Sequence, residues 1–199
     1  PEHRWNVVLI SVESFSGDYL KRFGNKENIT PYLDSLIPHG LWFDQFYASG
    51  TRTVRGLEAL SMGIPPTPGQ SIVRRPDNDD MYTMGSVLKT KGYDVHYIYV
   101  GNSFFDNMGK YFSNSGYTVL DQRDIPDSLV HLTTAWGCDD EAAFNYTLQQ
   151  CDKSFNSNKP FFNHIMTVSN HRPYIYPEGR IDIDPKYQSI QGAVKYTDY

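Results

Sequence analysis

Asn6-Val7-Val8-Leu9-Ile10-Ser11-Val12-Glu13-Ser14 is the stretch on which the fold turns. Val7 to Val12 is an almost unbroken apolar run, the pattern of a central strand in a parallel sheet covered on both faces. The run ends in a carboxylate, Glu13, and open parallel sheets place their ligand sites at the carboxyl ends of strands. A carboxylate there is costly unless it is paired or bound to a metal. Taken alone, Glu13 also reads as a solvent-facing loop acid or a partner for a helix terminus.

The second decisive stretch is Ala48-Ser49-Gly50-Thr51-Arg52-Thr53-Val54-Arg55-Gly56-Leu57-Glu58-Ala59-Leu60. Val54 to Met62 reads as a helix closed by Gly63 and Pro65-Pro66, with the Thr53 hydroxyl at its start. A threonine hydroxyl is a weak nucleophile until a base or a metal activates it. A divalent cation gripped by Glu13 and Thr53 would do so, and the positive end of the helix favours an anion. Arg52 and Arg55 flank the hydroxyl and can fork onto phosphate oxygens. The plainer alternative makes Thr53 a helix cap and Arg55–Glu58 a surface ion pair.

Outward from these two segments, strand and helix signals alternate, which predicts an α/β fold with a mainly parallel sheet flanked by helices. Thr30-Pro31 opens a short helix and Leu41 to Tyr47 reads as a strand. Thr67 to Asp80 reads as a surface loop, Met84 to Lys91 as a helix stopped by Gly92, and Tyr93 to Val100 as a strand. Phe104 to Ser115 is a short helix or irregular segment, and Tyr117 to Leu120 a short strand. Asp139 to Gln150 is helical, Phe161 to Val168 is the last clear strand, and Ser169 to Pro185 is a long loop. Residues 1–199 form one unit with no internal repeat or linker. Both ends read as cut from something longer.

With 199 residues, 39% of them hydrophobic, the chain can bury one sizeable α/β core. A net charge of −5 gives no broad basic field, so a nucleic-acid partner is not expected. No apolar run approaches the ~18 residues of a membrane span. Cys138 and Cys151 flank a helix that would hold them about 20 Å apart, too far for a disulfide.

Ser169-Asn170-His171-Arg172-Pro173-Tyr174 follows the last strand, again at a carboxyl end. His171 can donate to a phosphate or sugar oxygen, although an Asn/His turn before proline is also an ordinary loop. Trp136 can stack on a substrate. His96 and His164 fall inside strands and read as structural, and no zinc spacing, P-loop or dinucleotide glycine pattern is present.

Several of these segments together carry a family resemblance. Asn6 to Ser14, Ile29-Thr30-Pro31-Tyr32-Leu33, Phe43-Asp44-Gln45-Phe46-Tyr47 and Gly50 to Leu60 are among them. Phe105-Asp106-Asn107-Met108, Trp136-Gly137, the Ser169 to Tyr174 loop and Ala193 to Tyr199 complete the ordered set. The chain resembles the lipoteichoic acid synthase-like phosphoglycerol transferases of the alkaline phosphatase/sulfatase superfamily, over essentially its whole length. The resemblance implies that Glu13 is a metal ligand and that Thr53 is both ligand and nucleophile. His171 and Trp136 become substrate contacts, and the metal Mn²⁺ or Mg²⁺. It further implies transfer of glycerophosphate from phosphatidylglycerol, through a phosphothreonine, to a glycerol, polyglycerol phosphate or glycan hydroxyl.

The parent protein would be anchored in a bacterial cell membrane, with this domain outside the cytoplasm. The family completes its metal site with an Asp-His pair on a later strand, which these 199 residues do not include. The isolated chain is therefore expected to bind metal weakly and turn over poorly. Some members also carry a basic residue just after the tryptophan, where Gly137-Cys138 stand here.

Three alternatives stand beside this reading. A sulfatase needs a Cys or Ser nucleophile followed two residues later by proline, whereas Thr53 is followed by Val54-Arg55. A phosphatase or phosphodiesterase would use the same nucleophile and pass the group to water. A non-catalytic glycolipid-binding module would need no metal half, but would leave Thr53 between two arginines without a purpose.

Overall fold

The computed structural model describes residues 3–199. The elements that matter here run, in chain order, β1 (Val7–Ser11), α1 (Pro31–Leu36), α2 (Thr53–Met62), α3 (Met84–Thr90), β2 (Asp94–Tyr99) and α4 (Met108–Asn114). They continue with β3 (Thr118–Asp121), a two-strand hairpin of β4 (Thr133–Thr134) and β5 (Gly137–Cys138), α5 (Asp140–Asn156), β6 (Phe161–Met166) and α6 (Ile190–Asp198). Four strands form one sheet in the order β1-β6-β2-β3, every neighbour parallel. The α/β architecture with a parallel sheet flanked by helices is as the sequence predicts.

The central position belongs to β6, all six of whose residues are buried. Alternate side chains point to opposite faces of a strand, and here that rule sorts the layers. Asn163 reaches Cys151 of α5 and His96 of β2 on one face. His164 meets the rings of Tyr97 and Phe112 on the other, where α4 lies. Helices therefore cover both faces of the sheet, and the core clusters around Tyr97, Phe112, Phe162 and Ile165.

Two expectations change. The apolar run of β1 does not make it central: among the described residues it pairs only with β6, and Val8 and Ile10 remain 45% and 47% exposed. An apolar run reports what a strand can bury, not which of its faces a neighbour covers. Nor does Leu41 to Tyr47 form a strand; it is irregular, with Leu41 at 92% exposure. Its alternation is a local signal, and among the described residues no strand lies beside it to pair with.

Smaller shifts have local causes. Asp139 sits just before α5 as its cap, accepting from Ala142 N. Thr30 occupies the N-cap position of α1, but its side chain makes no capping bond; Asp198 of α6 accepts instead from Tyr32 N and Leu33 N, both at 2.8 Å. A Thr83–Ser86 capping box opens α3. The Thr67 to Asp80 loop is not wholly at the surface, because a short turn at Ile72–Arg74 drives Ile72 and Val73 into the core. Cys138 and Cys151 are both free thiols. No helix among the described residues is long and apolar enough to cross a membrane.

Candidate active site

Glu13 lies two residues beyond β1, at the carboxyl end of the sheet. Both of its backbone polar groups are gripped by the segment that follows β6. Its N–H donates to Thr167 Oγ1 at 2.9 Å, and its carbonyl accepts from Asn170 Nδ2 at 2.8 Å. Ser14, next in the chain, adopts a left-handed φ of 47°, a conformation that non-glycine residues hold only when their surroundings fix it. The Glu13 side chain is thereby turned inward and is almost buried. Its Oε1 accepts from Ser14 Oγ at 2.8 Å, and its Oε2 from Thr53 Oγ1 at 2.9 Å.

Thr53 is the first residue of α2, with Arg52 as the preceding extended residue. The first intrahelical bonds are those of Arg55 N and Gly56 N to Arg52 O, so the N–H groups of Thr53 and Val54 have no partner inside the helix. The threonine hydroxyl thus stands at a positive helix end with its proton directed at a buried carboxylate. A hydroxyl held within hydrogen-bond reach of a carboxylate, itself fixed by further groups, is an arrangement in which a hydroxyl can be activated.

His171 completes a third side of the site, its Nε2 3.5 Å from Glu13 Oε1. Trp136 stacks on His171 with ring centres 4.1 Å apart and planes within 14°. Its Nε1–H donates to Arg172 O at 2.7 Å, which locks the indole against the 169–174 loop. The hairpin turn carrying Trp136 rests on the end of β2, where Cys138 N donates to Val100 O. A Cβ at Gly137 would collide with the Val100 carbonyl, and the φ there is +136°, so only glycine fits. Phe105 meets the far edge of Trp136 at 5.9 Å.

The structure therefore brings Glu13, Thr53, His171 and Trp136 into one constellation. The two arginines divide. Arg52 is exposed beside the helix start. Arg55 is directed elsewhere: its guanidinium donates to Glu58 Oε1 at 2.8 Å and to the carbonyls of Thr67 and Gly69. It is a strut between α2 and the following loop rather than a phosphate clamp. Nor is its ion pair a surface one, because Glu58 is fully buried and also accepts from Ser71 Oγ and Ile72 N, both at 2.6 Å. Burial opposes charge on Glu58, but these donors outweigh it and hold the carboxyl below its ordinary range.

Sequence reasoning passes over Thr167 and Asn170, whose only signal is their place between the end of β6 and His171. It also passes over a His131–Asp139–Glu141 group, in which His131 Nδ1 lies 3.4 Å from Asp139 Oδ1 and 3.8 Å from Glu141 Oε2. Those carboxylates already have partners. Asp139 accepts from three backbone N–H groups and Tyr196 Oη, and Arg180 bonds Glu141 at 2.7 Å.

As a metal ligand set, Glu13 and Thr53 supply two hard oxygen donors, the type that Mg²⁺ and Mn²⁺ accept. A nearly buried carboxylate whose closest partners are two hydroxyls is also short of positive charge, which a cation would supply. These residues fit a divalent cation.

Comparison with known proteins places this geometry in context. The Sulfatase family model matches residues 5–199. A lipoteichoic acid synthase-like protein, YvgJ of Bacillus subtilis strain 168, is 23% identical over 187 residues, covering 93% of this chain and 29% of that protein. A crystal structure of an alkaline phosphatase superfamily protein from Vibrio parahaemolyticus superposes with a TM-score of 0.92 at 34% identity, over 99% of this chain and 48% of that one. The lipoteichoic acid synthase LtaP of Listeria monocytogenes gives 0.84 at 19% identity, over 98% and 49% respectively. The periplasmic domain of EcEptC from Escherichia coli, solved in complex with Zn, shares the fold at a TM-score of 0.63 and 16% identity, over 100% and 57%. The chain thus spans less than a third of the curated relative and about half of these solved chains. With the family model matched across nearly its whole length, this chain belongs to the sulfatase family, within the alkaline phosphatase superfamily and at a distance from the lipoteichoic acid synthases.

Proposed function

We propose that the chain carries the nucleophile half of a metal-dependent phosphoglycerol transferase. The observation that carries this reading is the 2.9 Å hydrogen bond from Thr53 Oγ1 to Glu13 Oε2 at the positive end of α2. In the first step the Thr53 oxygen attacks the phosphorus of a phosphatidylglycerol head group. A Thr53 Oγ–P bond forms, the P–O bond to diacylglycerol breaks, and the threonine's proton ends on the released diacylglycerol hydroxyl. In the second step a glycerol, polyglycerol phosphate or glycan hydroxyl attacks the phosphothreonine. The Oγ–P bond breaks and the acceptor's proton returns to Thr53.

Glu13 receives and orients the hydroxyl proton in the resting site. His171 and Trp136 form the wall against which the head group rests, with His171 able to donate to a phosphate oxygen. Arg52 neutralises phosphate charge from the helix start. Mn²⁺ or Mg²⁺ held by Glu13 and Thr53 would lower the hydroxyl's pKa and offset the negative charge that develops on the phosphoryl oxygens. The reading places the domain outside the cytoplasm of a bacterial cell, held at the membrane by the parent protein. A hydrolase would share the first step and differ only in its acceptor, so the covalent intermediate and its fate are what an experiment must follow.

The test uses full-length protein in lipid with head-group-labelled phosphatidylglycerol and Mn²⁺, followed by proteolysis and mass spectrometry. A glycerophosphate adduct on Thr53 that disappears when a glycan or glycerol acceptor is added is the expected result. Free glycerophosphate with no transfer product would favour the hydrolase. Neither adduct nor release would overturn catalysis by this site.

A further inference from the structure

We infer that Asn170 is a positioning residue for Glu13: its side-chain amide fixes the backbone from which the carboxylate is aimed at Thr53. This rests on the metal-site reading above. Asn170 is buried and directly precedes His171. Its Nδ2 donates to Glu13 O at 2.8 Å, while Thr167, three residues earlier, takes the Glu13 N–H on its Oγ1. Both main-chain polar groups of Glu13 are therefore held by side chains from one short segment. A carbonyl oxygen needs a donor, so the amide nitrogen and not the amide oxygen of Asn170 must face it.

The opposite end of the amide is also set. Thr197 Oγ1 of α6 lies 3.3 Å from Asn170 Oδ1 and bonds Asp140 Oδ2 at 2.7 Å. Asp140 Oδ1 in turn accepts the N–H groups of Val168 and Ser169, at 2.8 and 3.1 Å. The segment from Thr167 to His171 is thus tied to the start of α5 and to α6, and through Asn170 it grips Glu13. Among the described residues, the Glu13 side chain itself has two hydroxyls and a histidine 3.5 Å away to direct it. Its aim depends on the clamp on its backbone. Partners that orient a ligand rather than touch the metal commonly change metal affinity when removed.

The experiment is Mn²⁺ titration calorimetry on full-length protein, with the Mn²⁺-induced rise in Tm as a second readout. Asn170→Asp keeps the size of the side chain and replaces the donor facing Glu13 O with an acceptor. It should weaken Mn²⁺ binding by about tenfold or more and shrink the Tm rise, while near-UV circular dichroism shows a folded protein. A folded Asn170→Asp variant that binds Mn²⁺ within about twofold of the unaltered protein would overturn the proposal, because a merely structural amide would lower Tm without moving metal affinity. If the aspartate variant does not fold, Asn170→Ser, neutral and too short to reach Glu13 O, carries the same expectation and the same overturning result. Glu13→Gln is measured alongside. Unchanged Mn²⁺ affinity there overturns the metal-site reading and this proposal together, whereas loss of affinity there with none at Asn170 overturns this proposal alone.

Discussion

At the scale of single residues, the proposed chemistry rests on one short contact between a hydroxyl and a carboxylate. Thr53→Ala removes only the hydroxyl and a methyl group, at the first position of a helix whose cap is another residue. The fold should survive, with a Tm within a few degrees of the unaltered protein. Transfer of labelled glycerophosphate should fall by at least about a thousandfold, the scale on which loss of a nucleophile acts. Retained transfer would remove Thr53 from the role. Glu13→Gln keeps the shape but loses the charge that a divalent cation needs, and Mn²⁺ affinity measured by calorimetry should fall at least about tenfold. The positions of Glu13, Thr53, His171 and Trp136 in the fold are legible in the sequence because each follows a recognisable boundary: a strand end, a helix start or a turn. Asn170 and Thr167 are not, since their part depends on facing a residue more than 150 positions away.

At the scale of elements, α2 is held in place from its inner side. Glu58 sits on it, fully buried, and takes donors from Arg55, Ser71 Oγ and Ile72 N. Arg55 reaches over to the carbonyls of Thr67 and Gly69. Close packing at Gly50 belongs to the same arrangement, because a Cβ there would come within 2.7 Å of the Arg55 Cβ. Glu58→Ala strips the buried carboxylate from Arg55, Ser71 and Ile72 at once and should destabilise the protein by about 3 kcal/mol or more in urea unfolding. A cost below about 1 kcal/mol would mean that the loop does not depend on this tie. Helix α2 and the strands β2 and β6 are legible because their periodicities and terminators are local. The segment 41–47 is misread for the same reason: alternation can be counted along the chain, but a strand exists only where another strand pairs with it.

At the scale of the whole molecule, β6 carries two polar side chains through the middle of the core. His164 packs edge-on against the stacked rings of Tyr97 and Phe112, with its Nε2 2.7 Å from Ser11 Oγ. Burial disfavours its charged form and lowers its pKa to about 3. An unfolded histidine titrates near 6.5, so below that pH the unfolded chain binds a proton that the folded chain refuses. The neutral His164 contribution is therefore complete above about pH 6.5 and is lost as the pH falls toward about 3. Urea unfolding of the protein and of His164→Phe from pH 7 to pH 4.5 should show the unaltered protein losing up to about 1.4 kcal/mol more per pH unit than the variant. Parallel pH profiles would show that His164 is not held neutral in the core.

The sequence by itself determined the fold class, the strand-end position of Glu13, the helix-start position of Thr53 and the loop position of His171. Each follows from periodicity and from terminating residues that act over a few positions. Only the tertiary structure decided that β6 and not β1 occupies the covered centre of the sheet, that Arg55 braces a loop, and that Asn170 grips Glu13. The physical reason is the same in each case. Burial, strand order and the partner of a polar group are set by which distant segments meet, and a free arginine and a committed one have the same sequence signature.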